Sequence, residues 1–213
     1  MRDAIGWKGH AMGSIDYYFS PSSPWTYLGH QRLVDMATRH RAKIVPMPVD
    51  LGGAIFPDSG GLPLAKRAPQ RQAYRLVELR RWSRHLGIPL IAQPRHFPTP
   101  GHDAARVIIL ADQRHGTPAA LGLAHAIMRG LWAEERDIAD LDTLAALAEG
   151  VDLPGPTLVA DRADADPRYA ANTGKAIEAQ VFGAPWYSLR GEPFWGQDRL
   201  DFLDRALSDA PAA

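Results

Sequence analysis

The chain has 213 residues, 46% of them hydrophobic and 23% charged, enough apolar material for one substantial core with room for a large insertion. Its 24 Lys plus Arg balance 24 Asp plus Glu, so the net charge is zero and neither a nucleic-acid partner nor a polybasic membrane contact is supported. There is no cysteine, which excludes disulfide scaffolds, Cys-based zinc sites and every dithiol redox mechanism.

The first 13 residues lack periodicity and are a natural tail, a misassigned start or a cloning remnant; they stay outside the fold reading. No leader-type apolar segment with a cleavage site opens the chain, so a cytoplasmic location is expected. The longest apolar run, Val107 to Ala111, falls far short of the roughly 18 residues a membrane helix needs.

Ile15 to Phe19 reads as a buried strand, rich in aromatic and β-branched types. Ser20 to Pro24 break it. A helix follows, with Tyr27, Leu28, Leu33, Val34 and Ala37 at helical spacing, Ser23 as N-cap and Pro24 as first residue. Ile44 to Val49 is a second strand, whose two prolines place it at a sheet edge or with its N–H groups facing away from a neighbour. Asp50 to Pro63 reads as a Gly- and Pro-rich loop. From about Arg67 to Gly150 the signals are helical: Tyr74 to Leu86, Ala104 to His115, Pro118 to Trp132 and Leu141 to Glu149, with a proline-containing loop at Gln93 to Gly101. Asp166 to Gln180 is helical. Trp186 to Leu189 and Pro193 to Trp195 form a hairpin about Arg190-Gly191-Glu192, and Asp198 to Leu207 is a closing amphipathic helix.

The order is β-α-β, a helical block, then α-β-β-α. A mixed four-stranded sheet with helices on both faces satisfies it. The expected class is α/β, thioredoxin-like, with a large all-helical insertion: residues 14–62 and 166–210 form the thioredoxin-like domain and 63–165 the insertion.

Three places offer chemistry. Ser23-Pro24-Trp25-Thr26 opens the first helix, where free N–H groups and a partial positive charge favour an anion. A thioredoxin fold places its Cys-x-x-Cys pair there. A serine cannot do disulfide chemistry, but its hydroxyl can donate to another molecule's thiolate. Gly183-Ala184-Pro185 precedes a strand, and Pro185 is a candidate for the cis form. Ala184 would then turn its backbone outward to pair with a peptide-like ligand. Trp195-Gly196-Gln197-Asp198-Arg199 ends the hairpin. There Asp198 either caps the last helix or neutralises a ligand ammonium. Taken singly, each has a plain structural explanation: a cap, a turn, a capped helix with a surface ion pair. Their order is what matters, because these points of a thioredoxin plan converge on one groove. His96, His102 and Asp103 match no metal-ligand spacing. Arg67, Arg71, Arg75, Arg80, Arg81 and Arg84 read mostly as a solvated helix face, with one of them a candidate to reach an anionic substrate. No phosphate-binding loop or Gly-x-Ser-x-Gly is present.

At these residues the chain resembles the 2-hydroxychromene-2-carboxylate isomerases and their relatives, the kappa-class glutathione transferases. The matching pieces are Tyr18-Phe19 with Ser23-Pro24-Trp25-Thr26-Tyr27-Leu28, Val49-Asp50-Leu51, Asp58-Ser59-Gly60-Gly61, and Arg81-Trp82 with Gly87-Ile88-Pro89-Leu90. His96-Phe97-Pro98, Val181-Phe182-Gly183-Ala184-Pro185 and Trp195-Gly196-Gln197-Asp198-Arg199-Leu200 complete the series in the family's order. The resemblance implies a cytoplasmic, homodimeric, glutathione-dependent cis–trans isomerase. It would interconvert 2-hydroxychromene-2-carboxylate-like and trans-o-hydroxybenzylidenepyruvate-like compounds, small aromatic 2-oxo acids, with no metal. It also implies that Ser23 faces the glutathione sulfur, that Ala184 beside Pro185 pairs with the cysteinyl backbone, and that Trp195, Gly196, Gln197 and Asp198 hold the γ-glutamyl end. A kappa-like transferase and a non-catalytic thioredoxin-fold binding protein are the alternatives.

Overall fold

The computed structural model describes residues 13–209; of the stretch read as a tail only Gly13 is among them, and position 210 of the expected domain also lies outside the described residues. Strand β1 (Ser14–Phe19) is buried from Ile15 onward. Successive side chains of a strand point to opposite faces. Ile15, Tyr17 and Phe19 therefore enter one apolar cluster and Tyr18 a second, which is why the segment carries so little polar alternation. Helix α1 (Pro24–His40) follows, and strand β2 (Lys43–Pro48) returns parallel to β1, with Ser14 opposite Lys43.

The sheet order is β2-β1-β3-β4, where β3 is Trp186–Leu189 and β4 is Glu192–Trp195. β3 runs antiparallel to β1 and β4 antiparallel to β3, with Trp186 opposite Trp195. This is the mixed four-stranded thioredoxin-like sheet. β2 stands at its edge, as Pro46 and Pro48 require, because neither can donate to a second neighbour. Arg190 and Gly191 both have positive φ, 52° and 85°, as expected at the centre of a type I′ hairpin turn.

Between β2 and β3 the chain is helical. The longer helices are α3 (Pro69–Leu86), α4 (His102–His115), α5 (Thr117–Glu134) and α6 (Leu141–Glu149), and α8 (Asp166–Glu178) leads back to the sheet. Val107 to Ala111 of α4 are all buried, so the longest apolar run is the middle of a helix enclosed on every side. One hydrophobic cluster joins Ile15, Tyr17 and Phe19 of β1 to Leu33 of α1, Ile108 of α4 and Leu123 and Ile127 of α5. No helix among the described residues is long and apolar enough to cross a membrane.

Two local readings are corrected, one is extended and one unassigned stretch gains its elements. The expected loop at 50–63 contains a π-helical turn, Leu51–Ile55, running into the short helix α2 (Phe56–Ser59). Gly52 and Gly53 hide that turn in the sequence. Tertiary contact creates it, because fully buried Ile55 packs with Tyr18, Met47 and Val49, worth about 1.5–3 kcal/mol. Helix α3 extends back from its first apolar marker, Tyr74, to Pro69, since proline suits the first helical position. A short helix, α7 (Gly155–Ala160), and a 3₁₀ turn, Arg162–Ala165, occupy a stretch too short to show periodicity. The closing helix is α9 (Leu200–Ser208), preceded by a 3₁₀ turn, Gln197–Arg199. Asp198 therefore sits inside a turn and does not cap the helix.

Candidate functional site

The site is built at the corner between β1 and α1. Ser23 N–H donates to Ser20 O at 3.0 Å, closing the turn, and Tyr27 N–H donates to Ser23 O at 3.1 Å, opening the helix. Ser23 has extended backbone (φ −84°, ψ 124°), and its Oγ accepts from Thr26 N–H at 3.3 Å. That is an N-cap, and a hydroxyl that accepts there keeps its own proton to donate. The first turn of α1 carries no acidic residue of its own to oppose the helix's partial positive charge. Thr26, last of the four, is fully buried and its hydroxyl has no partner among the described residues, so it belongs to the core and not to the site.

The Ala184–Pro185 peptide bond is cis. Ala184 lies outside the helices and strands and makes no backbone hydrogen bond among the described residues. Pro185 O accepts from Gly196 N–H at 2.9 Å, so the segment around Pro185 and the Trp-Gly-Gln-Asp segment are bonded to each other. The second segment is also tied to α1. Arg32 Nη1 donates to Gln197 O at 3.0 Å and to Gln197 Oε1 at 2.7 Å. A Cβ on Gly29 would fall 2.8 Å from Gln197 Cβ, so only glycine allows this approach of α1. Pro185, Gly196 and Gln197 are thus bonded to one another and to Arg32, which lies nine residues along α1 from Ser23.

Their exposures differ. Gln197 is buried, and Arg32 engages its side-chain carbonyl, so that side chain anchors the segment while its neighbours face outward. Asp198 is exposed, with Oδ2 accepting from Arg199 Nη1 at 2.7 Å. Trp195 is half exposed and lies on Gly183, where an added Cβ would meet Trp195 Nε1 at 2.5 Å.

Sequence reasoning passed over Phe182, which lies between Trp195 (ring centroids 4.6 Å) and Trp186 (5.1 Å), edge-on to both. Phe182 and Trp195 are half exposed, so their rings offer an apolar surface in the segments that flank Ala184 and Pro185. The Phe182-Gly183 pair before the proline was the available signal. Arg32 had none, because a lone arginine on a helix looks like any solvated one.

The helical block reaches the same corner. A Cβ on Gly101, just before α4, would fall 3.5 Å from Ser22 Oγ, so the 93–101 loop lies against the residue preceding Ser23. The Phe97–Pro98 bond in that loop is also cis. His96 pairs with Asp137 at 3.6 Å, and His102 Nδ1 lies 3.1 Å from Tyr169 OH. No group of three metal-ligating side chains occurs among the described residues. A cavity of about 620 Å³ lies along the C-terminal half of α1, lined by His30, Val34, Arg41 and Lys43, and it contains none of the site residues. Burial pushes the Tyr187 hydroxyl well above the ordinary tyrosine value and holds the Tyr18 hydroxyl at about 12, so both stay neutral and neither serves as a base.

Comparison with known proteins agrees with this plan. The family model described as the DSBA-like thioredoxin domain matches residues 14–208. A 2-hydroxychromene-2-carboxylate isomerase of Pseudomonas putida is 30% identical over 91% of this chain and 93% of its own length. Glutathione S-transferase kappa 1 of Caenorhabditis elegans is 24% identical over 89% of this chain and 88% of its own. A solved 2-hydroxychromene-2-carboxylate isomerase superposes with a TM-score of 0.79 at 27% identity, covering 92% of this chain and 94% of that one.

Proposed function

The chain belongs to the DsbA-like thioredoxin family, and within it to the 2-hydroxychromene-2-carboxylate isomerases; from that premise we propose that it is a glutathione-dependent cis–trans isomerase of small aromatic 2-oxo acids. The observation that carries the reading is a serine N-cap where thioredoxin-fold redox proteins place a cysteine, in a chain with none.

The residues fit glutathione. Ala184 has its backbone free beside cis Pro185, as pairing with the cysteinyl unit needs. Asp198 is exposed where it can meet the γ-glutamyl ammonium, and Trp195 and Gly196 border the same end. Bound there, glutathione supplies a thiolate that adds reversibly to a conjugated double bond, leaving a single bond about which the substrate can rotate. Ser23 donates its hydroxyl proton to the sulfur, and the α1 N-terminus adds its partial positive charge. Both favour the thiolate over the thiol at neutral pH. Half-exposed Phe182 and Trp195 offer apolar ring surface that a bound ligand would cover.

The test follows the ultraviolet spectrum of 2-hydroxychromene-2-carboxylate with the protein, with and without glutathione. A glutathione-dependent conversion to the trans-benzylidenepyruvate is expected, and none would refute the reading. The kappa-class relative supports a second reading, a transferase that consumes glutathione on an electrophile. Stoichiometric loss of free thiol with an aryl halide would favour it. A homodimer is part of the proposal on the strength of the family resemblance, and sedimentation tests it.

A further inference from the structure

Arg75 of α3 is largely buried, yet it makes no hydrogen bond or ion pair among the described residues. Its guanidinium lies 5.1 Å from the Phe97 ring centroid and 5.7 Å from that of Trp132, and these two rings are 4.7 Å apart. The acids nearby in sequence on α3, on the end of α5 and in the loop after it are engaged elsewhere. Glu78 pairs with Arg81 and Glu134 with Arg129. Glu135 accepts from Arg95 N–H, and Asp137 from Thr99 Oγ1 and Ala139 N–H. The charged neighbour that Arg75 does feel is another cation, Arg67. Burial first, and Arg67 second, bring Arg75 down to about 10.

A mostly desolvated charge with no counter-charge is costly, and cation–π contact with two rings offsets only part of that. The rings hold the guanidinium in place and leave its N–H edge unused, the arrangement that receives a carboxylate in bidentate fashion. Arg75 packs on the loop whose far end borders the Ser23 corner. Phe97 and Gly101 belong to one loop, and Gly101 lies against Ser22. Four residues span at most about 14 Å even fully extended.

Resting on the isomerase reading, we propose that Arg75 is a specificity-determining residue of the substrate site and binds the carboxylate of the aromatic 2-oxo acid. Glutathione carries carboxylates too, so the test separates the two sources.

Cinnamate and its neutral amide, cinnamamide, are titrated in the presence of glutathione against wild type, Arg75→Met and Arg75→Lys, by intrinsic tryptophan fluorescence. Glutathione binding is read separately as a rise in melting temperature. The expected result is that Arg75→Met weakens cinnamate roughly tenfold to a hundredfold, the scale of a lost charge-assisted hydrogen bond. Cinnamamide binding stays unchanged, Arg75→Lys recovers part of the loss, and the glutathione shift persists in all three proteins. Arg75→Met is also expected to melt no lower than wild type without ligand, because it removes an unpaired charge. Equal cinnamate binding in wild type and Arg75→Met overturns the proposal. So does loss of the glutathione shift in Arg75→Met with cinnamate binding intact, which would assign Arg75 to glutathione. Wild type that responds to glutathione but not to cinnamate overturns the Arg75 assignment and leaves the isomerase reading standing. Arg75-dependent cinnamate binding without any glutathione shift supports the Arg75 anion site and refutes the isomerase reading.

Discussion

Ser23→Ala separates the two roles of one hydroxyl. As a cap, Ser23 Oγ satisfies Thr26 N–H, and Thr26 is fully buried, so water cannot take over that bond. Removing an N-cap serine costs about 1 kcal/mol. In a chain of this size that lowers the melting temperature by about 2–4 °C. As a thiolate donor, the same hydroxyl makes a bond to a charged group, worth about 1.5–3 kcal/mol. Its loss raises the pKa of bound glutathione by roughly one to two pH units. The helix N-terminus survives the substitution, so part of the thiol's acidity remains. Ser23→Asp decouples the effects. Aspartate caps as well as serine, so stability is retained, but a carboxylate beside the sulfur raises the thiol pKa further. Thermal melts of the free protein read the first effect. Thiolate ultraviolet absorbance of the glutathione complex across pH reads the second. Ser23→Ala with lower stability and an unchanged thiol pKa would show that the hydroxyl is only a cap, and the catalytic argument would fail.

Three further outcomes are expected. His30 is fully buried; its Nε2–H donates to Leu121 O at 3.0 Å, and its Nδ1 accepts from Tyr17 OH at 3.1 Å, so it is held neutral. Burial lowers its pKa from 6.5 to about 4. The unfolded chain therefore binds a proton that the folded one refuses, and stability falls by about 3 kcal/mol as pH drops from about 6.5 towards 4. Urea midpoints against pH check this, and a His30→Gln variant with the wild-type slope would refute it. Gly183→Val drives a Cβ into the Trp195 ring, and a displacement on the order of 1 Å in the groove costs up to about a hundredfold in turnover. Wild-type turnover in that variant would show that the ring does not shape the site. Arg32→Met leaves buried Gln197 without its partner and is expected to cost about 2–3 kcal/mol, with faster amide exchange at residues 196–198. Unchanged exchange there would mean that the segment is held by other contacts.

Much of the fold was legible locally. The aromatic and β-branched run at Ile15 to Phe19, the Ser23-Pro24 start of α1 and the proline-marked edge strand each follow from the chemistry of their own residues, which act over a few positions. What misled was structure made by distant contact: the π-helical turn at Leu51–Ile55, pinned by buried Ile55, and the turn that takes Asp198 out of the capping position. The candidate site was legible as three motifs in order. That Gly196 N–H bonds Pro185 O, and that Arg32 reaches Gln197 from α1, was not, because such pairs are separated by many residues and leave no periodicity.

By itself, then, the sequence determined that this chain does no dithiol chemistry, that a serine caps the helix where a cysteine would otherwise act, and that a proline precedes the third strand. Tertiary structure decided which of the candidate side chains are exposed and which are spent on anchoring. Gln197 and Thr26 turn inward, and Phe182 and Trp195 turn outward. The physical reason is that capping and strand propensity are properties of adjacent residues, whereas burial and hydrogen-bond partnership exist only once the sheet has brought remote segments together.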